Sequence, residues 1–389
     1  MRSQLGVILA ACTLAPVARA QQPAAWPAAV QAFDQLMQTD SVVGGSLVYF
    51  REGRPVVRHD AGQADRAGRV PITPRSIFHY GSITKTLTAV AIMQLRDRGM
   101  LSLDDPITRW IPELRQVHNP YGSMDVITIR MLLSHSSGFQ NPTWPYRRYL
   151  SWEPFEPTRW DQLVAMMPYQ EIRFPPGSRY SYSNPAYIYL ARVIEALTGD
   201  PWQSYIYKNL WGPLGIRDSY FNLTPWHLAA WRSNNYTLVQ DSTGAERVED
   251  NGREFNPGIT IPNGGWNAPL SDLLLWARFL TGATGGEAER GKLDEVVLKR
   301  ATLEEMWRPV VPVGPPGESV GLGFFLTDLD GTRLVGHTGE QAGFRSFLYF
   351  NPRTRAGVAG VVNTTDDARG EESGRAFQTA LRAAQMLLR

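Results

Sequence analysis

This sequence predicts an α+β fold: one antiparallel β-sheet built from both chain ends and flanked by helices, with a mainly helical lobe inserted. Three observations point there. Short β-type runs punctuated by turn residues gather in residues 24–80 and 300–389. Residues 81–299 read instead as mainly helical pieces broken by Pro and Gly. The composition, 43% hydrophobic and 20% charged over 389 residues with no repeat or low-complexity tract, suits a single globular domain spanning residues 24–389.

Residues 1–20 stand apart from that domain. Arg2, an apolar run from Leu5 to Val17 and the small-x-small site Ala18-Arg19-Ala20 form the pattern of a secretory signal peptide cleaved near Ala20. The remainder is then expected in the periplasm or outside the cell. Cys12, the only cysteine, lies in this leader, and Leu9-Ala10-Ala11-Cys12 resembles a lipoprotein signal. The apolar run continues past Cys12, so cleavage after Ala20 is favoured over lipidation. The leader is too short to span a bilayer and no later segment approaches 18 apolar residues, so no membrane span is expected. The formal charge of +2 falls to zero when the two leader Arg are removed (+2 minus 2), which argues against nucleic acid or an anionic membrane as partner. Six His with no H-E-x-x-H and no Cys cluster predict neither a metal site nor a cofactor.

The elements follow in order. Apolar residues from Trp26 to Met37 fall at helical spacing. Residues 44–62 read as two strands around the turn Arg51 to Arg54. A helix runs from about Ser82 to Arg98, with Ile83, Leu87, Val90, Ala91 and Leu95 on one stripe and Gly99 as its stop. Residues 100–260 show little strand patterning, and 268–282 form another helix. The tail is a meander of short strands, closed by a helix over the last 18 or so residues.

The chemistry centres on Lys85. Of 39 basic residues only four are Lys (85, 208, 292 and 299), and only Lys85 has a Ser three residues before it. Arg cannot be deprotonated in a protein, whereas a desolvated Lys amine can. Residues i and i+3 share a helix face, so Lys85 lies beside Ser82 and can take its proton. That role needs the Lys pKa to fall from about 10.4 to roughly 7–8, a cost of about 4 kcal/mol supplied by burial or a cationic neighbour. The alternative is that Ser82 caps a helix and Lys85 is solvated in its first turn.

Two further motifs bear on the choice: Tyr182-Ser183-Asn184, after Pro176-Gly177, and His337-Thr338-Gly339 in the tail meander. Together with Ser82-Ile83-Thr84-Lys85 they resemble, in order and spacing, the three motifs of the penicillin-recognising serine enzymes: class C β-lactamases, D,D-carboxypeptidases, D-aminopeptidases and family VIII esterases. "LLSHSSGF", "WGPLGIRDSYF" and "PNGGW" are similar to further landmarks, so the resemblance runs from about Phe33 to Thr364. It implies the β-lactamase/transpeptidase-like fold, with Ser82 as nucleophile forming an acyl-enzyme. Lys85 and Tyr182 would share the proton work, either of them being the base, with Tyr182 favoured when its phenol is depressed by Lys85. Asn184, His337 and Thr338 would orient a small-molecule or peptide substrate. The backbone N–H groups of Ser82 and Glu340, the latter just after Gly339, would form the oxyanion hole.

The departures are informative. Class C lactamases carry Lys at the position of His337, and His is mostly neutral at pH 7, which moves the expectation toward an esterase or D-amino-acid peptidase. Glu340 stands where a small residue is usual and, pointing inward, would repel an anionic substrate. Trp266 would add an apolar wall. The seven Trp within residues 144–231 form either an aromatic cleft or helical-lobe core, the second being favoured. His135 is expected to order a loop rather than to catalyse. An exported serine hydrolase is therefore the leading expectation, an ester or amide substrate being preferred to a β-lactam. A class C-like β-lactamase and a non-hydrolytic penicillin-binding-type module are the alternatives.

Overall fold

The computed structural model describes residues 22–139, 157–283, 286–314, 316–369 and 374–389. The leader and Cys12 lie outside the described residues, as do Trp144 and Trp152.

Helix α1 (Trp26–Thr39) leads into strands β1 (Gly44–Arg51) and β2 (Arg54–Asp65). Their turn places both Glu52 and Gly53 at positive φ, the geometry that matches the twist of a tight hairpin. A two-residue strand β3 (Val70–Pro71) follows, then α2 (Thr84–Asp97), α3 (Asn184–Thr198) and α4 (Leu270–Leu280). The tail supplies β4 (Val311–Pro312), β5 (Glu318–Val320), β6 (Phe325–Leu329), β7 (Thr332–Gln341), β8 (Phe344–Phe350) and β9 (Ala356–Val362), and closes with α5 (Arg375–Gln385).

These nine strands form one sheet in the order β3-β2-β1-β9-β8-β7-β6-β5-β4. The two chain ends meet where β1 pairs antiparallel with β9, from Gly45 opposite Val362 to Arg51 opposite Ala356. Alternation along β1 divides the core. Leu47 and Tyr49 join Phe33 of α1 and Phe377 of α5 on one face, while Val48 and Phe50 join the helical lobe on the other. Helix α2 lies within that second core and is buried from Thr84 to Leu95.

The structure departs from expectation between residues 231 and 270. Tyr236–Gln240 pairs with Glu246–Asp250, and Thr364–Asp366 adds a third strand parallel to the first. Ile77–His79 also pairs with Asn267–Pro269. Among the described residues no helix is long and apolar enough to cross a membrane.

Candidate active site

Ser82 sits in a single 3-10 turn, Gly81–Ile83, that leads directly into α2. The turn is anchored at both ends. Tyr80 donates its N–H to the Trp266 carbonyl at 2.8 Å, and the Thr84 hydroxyl donates to the Gly81 carbonyl at 2.6 Å. One turn further along, Lys85 is fully buried, its Nζ 2.9 Å from Ser82 Oγ, 2.7 Å from Asn184 Oδ1 and 2.8 Å from the Asn263 carbonyl. All three partners are neutral. Burial with no compensating negative partner pushes the Lys85 amine far below its usual range. In its neutral form the amine, with its two N–H groups on the two amide oxygens, would turn its lone pair to the Ser82 hydroxyl.

Asn184 is the first residue of α3, fixed by Ser183, whose hydroxyl caps the helix through the Ala186 N–H, and by Pro185. Tyr182 precedes that cap. Its phenol hydrogen-bonds to Ser82, and its ring lies 4.9 Å from Lys85 Nζ. The sequence led us to expect a phenol depressed by Lys85. Burial instead pushes the Tyr182 phenol up, outweighing the lowering effect of its hydrogen bond to Ser82. His135 orders this corner: its Nδ1 accepts from the Ser183 N–H at 3.1 Å and its ring packs 4.5 Å from that of Tyr182.

The third motif lies along the open edge of β7. Strand β6 pairs with β7 only as far as Gly336, so His337 onward has β8 alone for a partner. The two-residue turn Ala342-Gly343, both at positive φ, sets the alternation of the β7–β8 ladder. That alternation leaves the Glu340 N–H on the edge away from β8, toward Ser82. Two glycines allow the approach. A Cβ on Gly339 would lie 1.9 Å from the Tyr80 carbonyl, and one on Gly81 would lie 2.7 Å from the Glu340 nitrogen. The Ser346 hydroxyl adds a bond to the same Tyr80 carbonyl at 2.9 Å.

His337 is buried against the Phe325 ring, and desolvation lowers its pKa to about 3, so it is neutral. Glu340 is more than half exposed, and its carboxylate accepts from Arg345 Nε at 2.9 Å. Arg345 is itself buried and lies 3.8 Å from Asp40. The Glu340 carboxylate is thus held on a neighbouring cation.

Ser82, Tyr182, Asn184 and the run from His337 to Glu340 line one cleft of about 810 Å³, with Lys85 beneath its floor. Tyr180, Phe325 and Phe377 add apolar walls. Trp266 does not. It is fully buried against Tyr80, its indole N–H donates to Ser219 Oγ at 3.0 Å, and it forms core beneath the site. Trp202 and Trp211 are core as well, whereas Trp226 is exposed. A second cavity of about 300 Å³, around Arg290, Arg300 and Arg353, contains none of these groups. Among the described residues no cluster of His, Cys, Asp or Glu could hold a metal. Sequence reasoning missed Asn263, although it lies in the "PNGGW" run, and Gln341, one residue past Glu340.

The profile of the family described as Beta-lactamase matches residues 29–382. Over 224 residues, 55% of its length, the chain is 32% identical to the esterase EstB of Burkholderia gladioli, of which the match spans 56%. It is 23% identical over 85% of its length to Protein flp of Staphylococcus aureus (strain COL), of which it spans 61%. In three dimensions it is similar to a D-stereospecific amidohydrolase from a Streptomyces species, with a TM-score of 0.69, 26% identity, and 92% of this chain and 98% of that one covered.

Proposed function

The chain belongs to the β-lactamase family, and from that membership we propose that it is an exported serine hydrolase cleaving an ester or amide through an acyl-Ser82 intermediate. One observation carries the proposal: a fully buried Lys85 amine, its pKa lowered by that burial, 2.9 Å from the Ser82 hydroxyl. As Ser82 Oγ attacks the substrate carbonyl, its proton passes to Lys85 Nζ. The carbonyl oxygen becomes an oxyanion between the N–H groups of Ser82 and Glu340. When the tetrahedral adduct collapses, the bond to the leaving group breaks. Tyr182, protonated at neutral pH, gives its proton to that group and is reprotonated from Lys85. Water then attacks the acyl-enzyme by the same steps in reverse, releasing the acid and restoring Ser82.

The walls favour an ester or amide over a β-lactam. His337, being neutral, offers no cation to a substrate carboxylate, and the Arg345 guanidinium at the cleft edge is already engaged by the Glu340 carboxylate. Tyr180, Phe325 and Phe377 suit an apolar substituent. The carboxylesterase and D-amino-acid amide classes both fit this cleft, and residues 1–20 are taken as the export signal. The test uses p-nitrophenyl butyrate with intact-mass detection. Wild type should show a burst and an acyl adduct, and Ser82→Ala should lose both, with turnover falling by about 10³-fold or more. Turnover that survives in Ser82→Ala would overturn the proposal. Nitrocefin hydrolysis matching ester hydrolysis would overturn the preference for esters and amides.

A further inference from the structure

We propose that Gln341 is a positioning residue that holds three parts of the active site in register: the segment entering Ser82, the turn carrying the Asn263 carbonyl, and the end of β7 carrying the Glu340 N–H. The inference rests on the hydrolase function above. Each part supplies one element of the chemistry, and each comes from a different region of the chain.

Gln341 Oε1 lies 3.0 Å from Nε2 of His79, which stands three residues before Ser82. The His79 ring is fully buried, and its Nδ1 lies 2.9 Å from Asn267 Oδ1; both neighbours are acceptors, so the neutral ring bonds Gln341 as its Nε2–H tautomer. Gln341 Nε2 donates to Thr260 Oγ1 at 3.1 Å, and the Thr260 hydroxyl in turn donates to the Pro257 carbonyl at 2.5 Å. Thr260 immediately precedes the short helix Ile261–Gly264, whose Asn263 carbonyl accepts from Lys85. The side chain passes so close to Gly264 that a Cβ there would lie 2.4 Å from Gln341 Oε1. Through its backbone, Gln341 pairs with Phe344 and closes the turn that orients the Glu340 N–H.

The elements next to these parts are joined by two further bonds. Thr88 Oγ1 donates to the Pro262 carbonyl at 2.7 Å, and Ser346 Oγ to the Tyr80 carbonyl at 2.9 Å. The Gln341 side chain, carried on β7, reaches both His79 and Thr260. Losing it frees the end of β7 to slide relative to Ser82 without opening the core. A shift of this kind separates the two oxyanion donors and leaves the substrate-binding walls in place, so it appears in kcat more than in KM.

The test compares Gln341→Leu, Thr260→Val and the double variant with wild type on p-nitrophenyl butyrate, with Ser82→Ala as control and thermal melts alongside. Gln341→Leu should lower kcat by about 10- to 100-fold with KM within about threefold of wild type. Thr260→Val, which cuts one of the two bonds, should lower kcat by less, and the double variant should be no worse than Gln341→Leu, because both act on one linkage. A Gln341→Leu variant whose kcat stays within about twofold of wild type, or falls only with its folded fraction, overturns the role. If Gln341→Leu does not fold, wild-type kcat in Thr260→Val overturns it instead. Turnover that survives Ser82→Ala overturns the hydrolase function itself, a result separable from any Gln341 outcome.

Discussion

Lys85 has the site's most demanding task, and its neighbours explain how it can perform it. Tyr182 and Tyr187 face the amine with their rings at 4.9 and 5.6 Å, and His135 and His337 stand nearby, all four uncharged at neutral pH. A proton on Nζ therefore has no anion to share, and burial lowers the amine's pKa far below 10.5. In the proposed mechanism the free base is the competent form, so kcat/KM should reach its plateau well below pH 10.5. It should fall about tenfold per pH unit only once the pH drops below the lowered pKa. A profile still rising toward pH 10 would overturn this assignment. Lys85→Arg keeps the cation but cannot release its proton, and should cost about 10²- to 10⁴-fold in kcat/KM. The Ser82–Lys85 pair was legible because both residues lie in one helical turn of an Arg-rich chain. The partners that tune it were not: the Asn263 carbonyl is 178 positions from Lys85, and Gln341 is 262 positions from His79. No local pattern records a hydrogen bond across such a distance.

At the level of elements, the proposed chemistry depends on how closely a 3-10 turn can approach a strand edge. Gly339 faces the Tyr80 carbonyl at a distance that admits no side chain, and Gly81 holds a φ of 50° against the Glu340 backbone. Gly339→Ala must push β7 away from Ser82 by about an ångström, which is expected to lower kcat by about 100-fold or more. Gly331→Ala, in the β6–β7 turn with nothing within 4 Å of its Cβ, is the control for strain alone at φ 80°. Gly339 itself has no positive φ, so equal losses in the two variants would show that glycine replacement anywhere in this hairpin, rather than the close approach, lowers kcat. The elements that build this contact were legible. The β1–β2 hairpin announced itself by its Gly-containing turn, and the tail meander by Asp-Gly and Asn-Pro punctuation. The pair 236–240 and 246–250 did not, because Glu246–Asp250 has no buried residue and so no apolar alternation to read. Its strand character comes from its partner and from Thr364–Asp366, more than 100 residues away.

Across the whole molecule, the same desolvation that lowers the Lys85 pKa makes folding sensitive to acid. His79, His135 and His337 come from three distant parts of the chain, and all three are fully buried and neutral. Burial lowers His79 to about 4 and His337 to about 3, and lowers His135 in the same direction. In the unfolded chain each has a pKa of about 6.5. Above that value both states are unprotonated and these residues contribute no pH dependence. As pH falls below 6.5 the unfolded state binds protons that the folded state refuses, so stability drops until the folded-state values are reached. Each site contributes about 1.4 kcal/mol per pH unit, and three together at most about 8 kcal/mol over two units, comparable with the whole stability of a domain. Lys85 acts in the same sense from higher pH, whereas Asp40 and Asp272, whose carboxyls burial pushes up, oppose it. Urea unfolding from pH 7.5 to 4.5 should therefore show a midpoint that declines steeply below pH 6.5. His79→Asn, which removes one titrating group, should flatten that slope by about one proton. A midpoint unchanged down to pH 5 would mean that these imidazoles find water or protons in the folded state, and that the dry environment required for a neutral Lys85 does not exist.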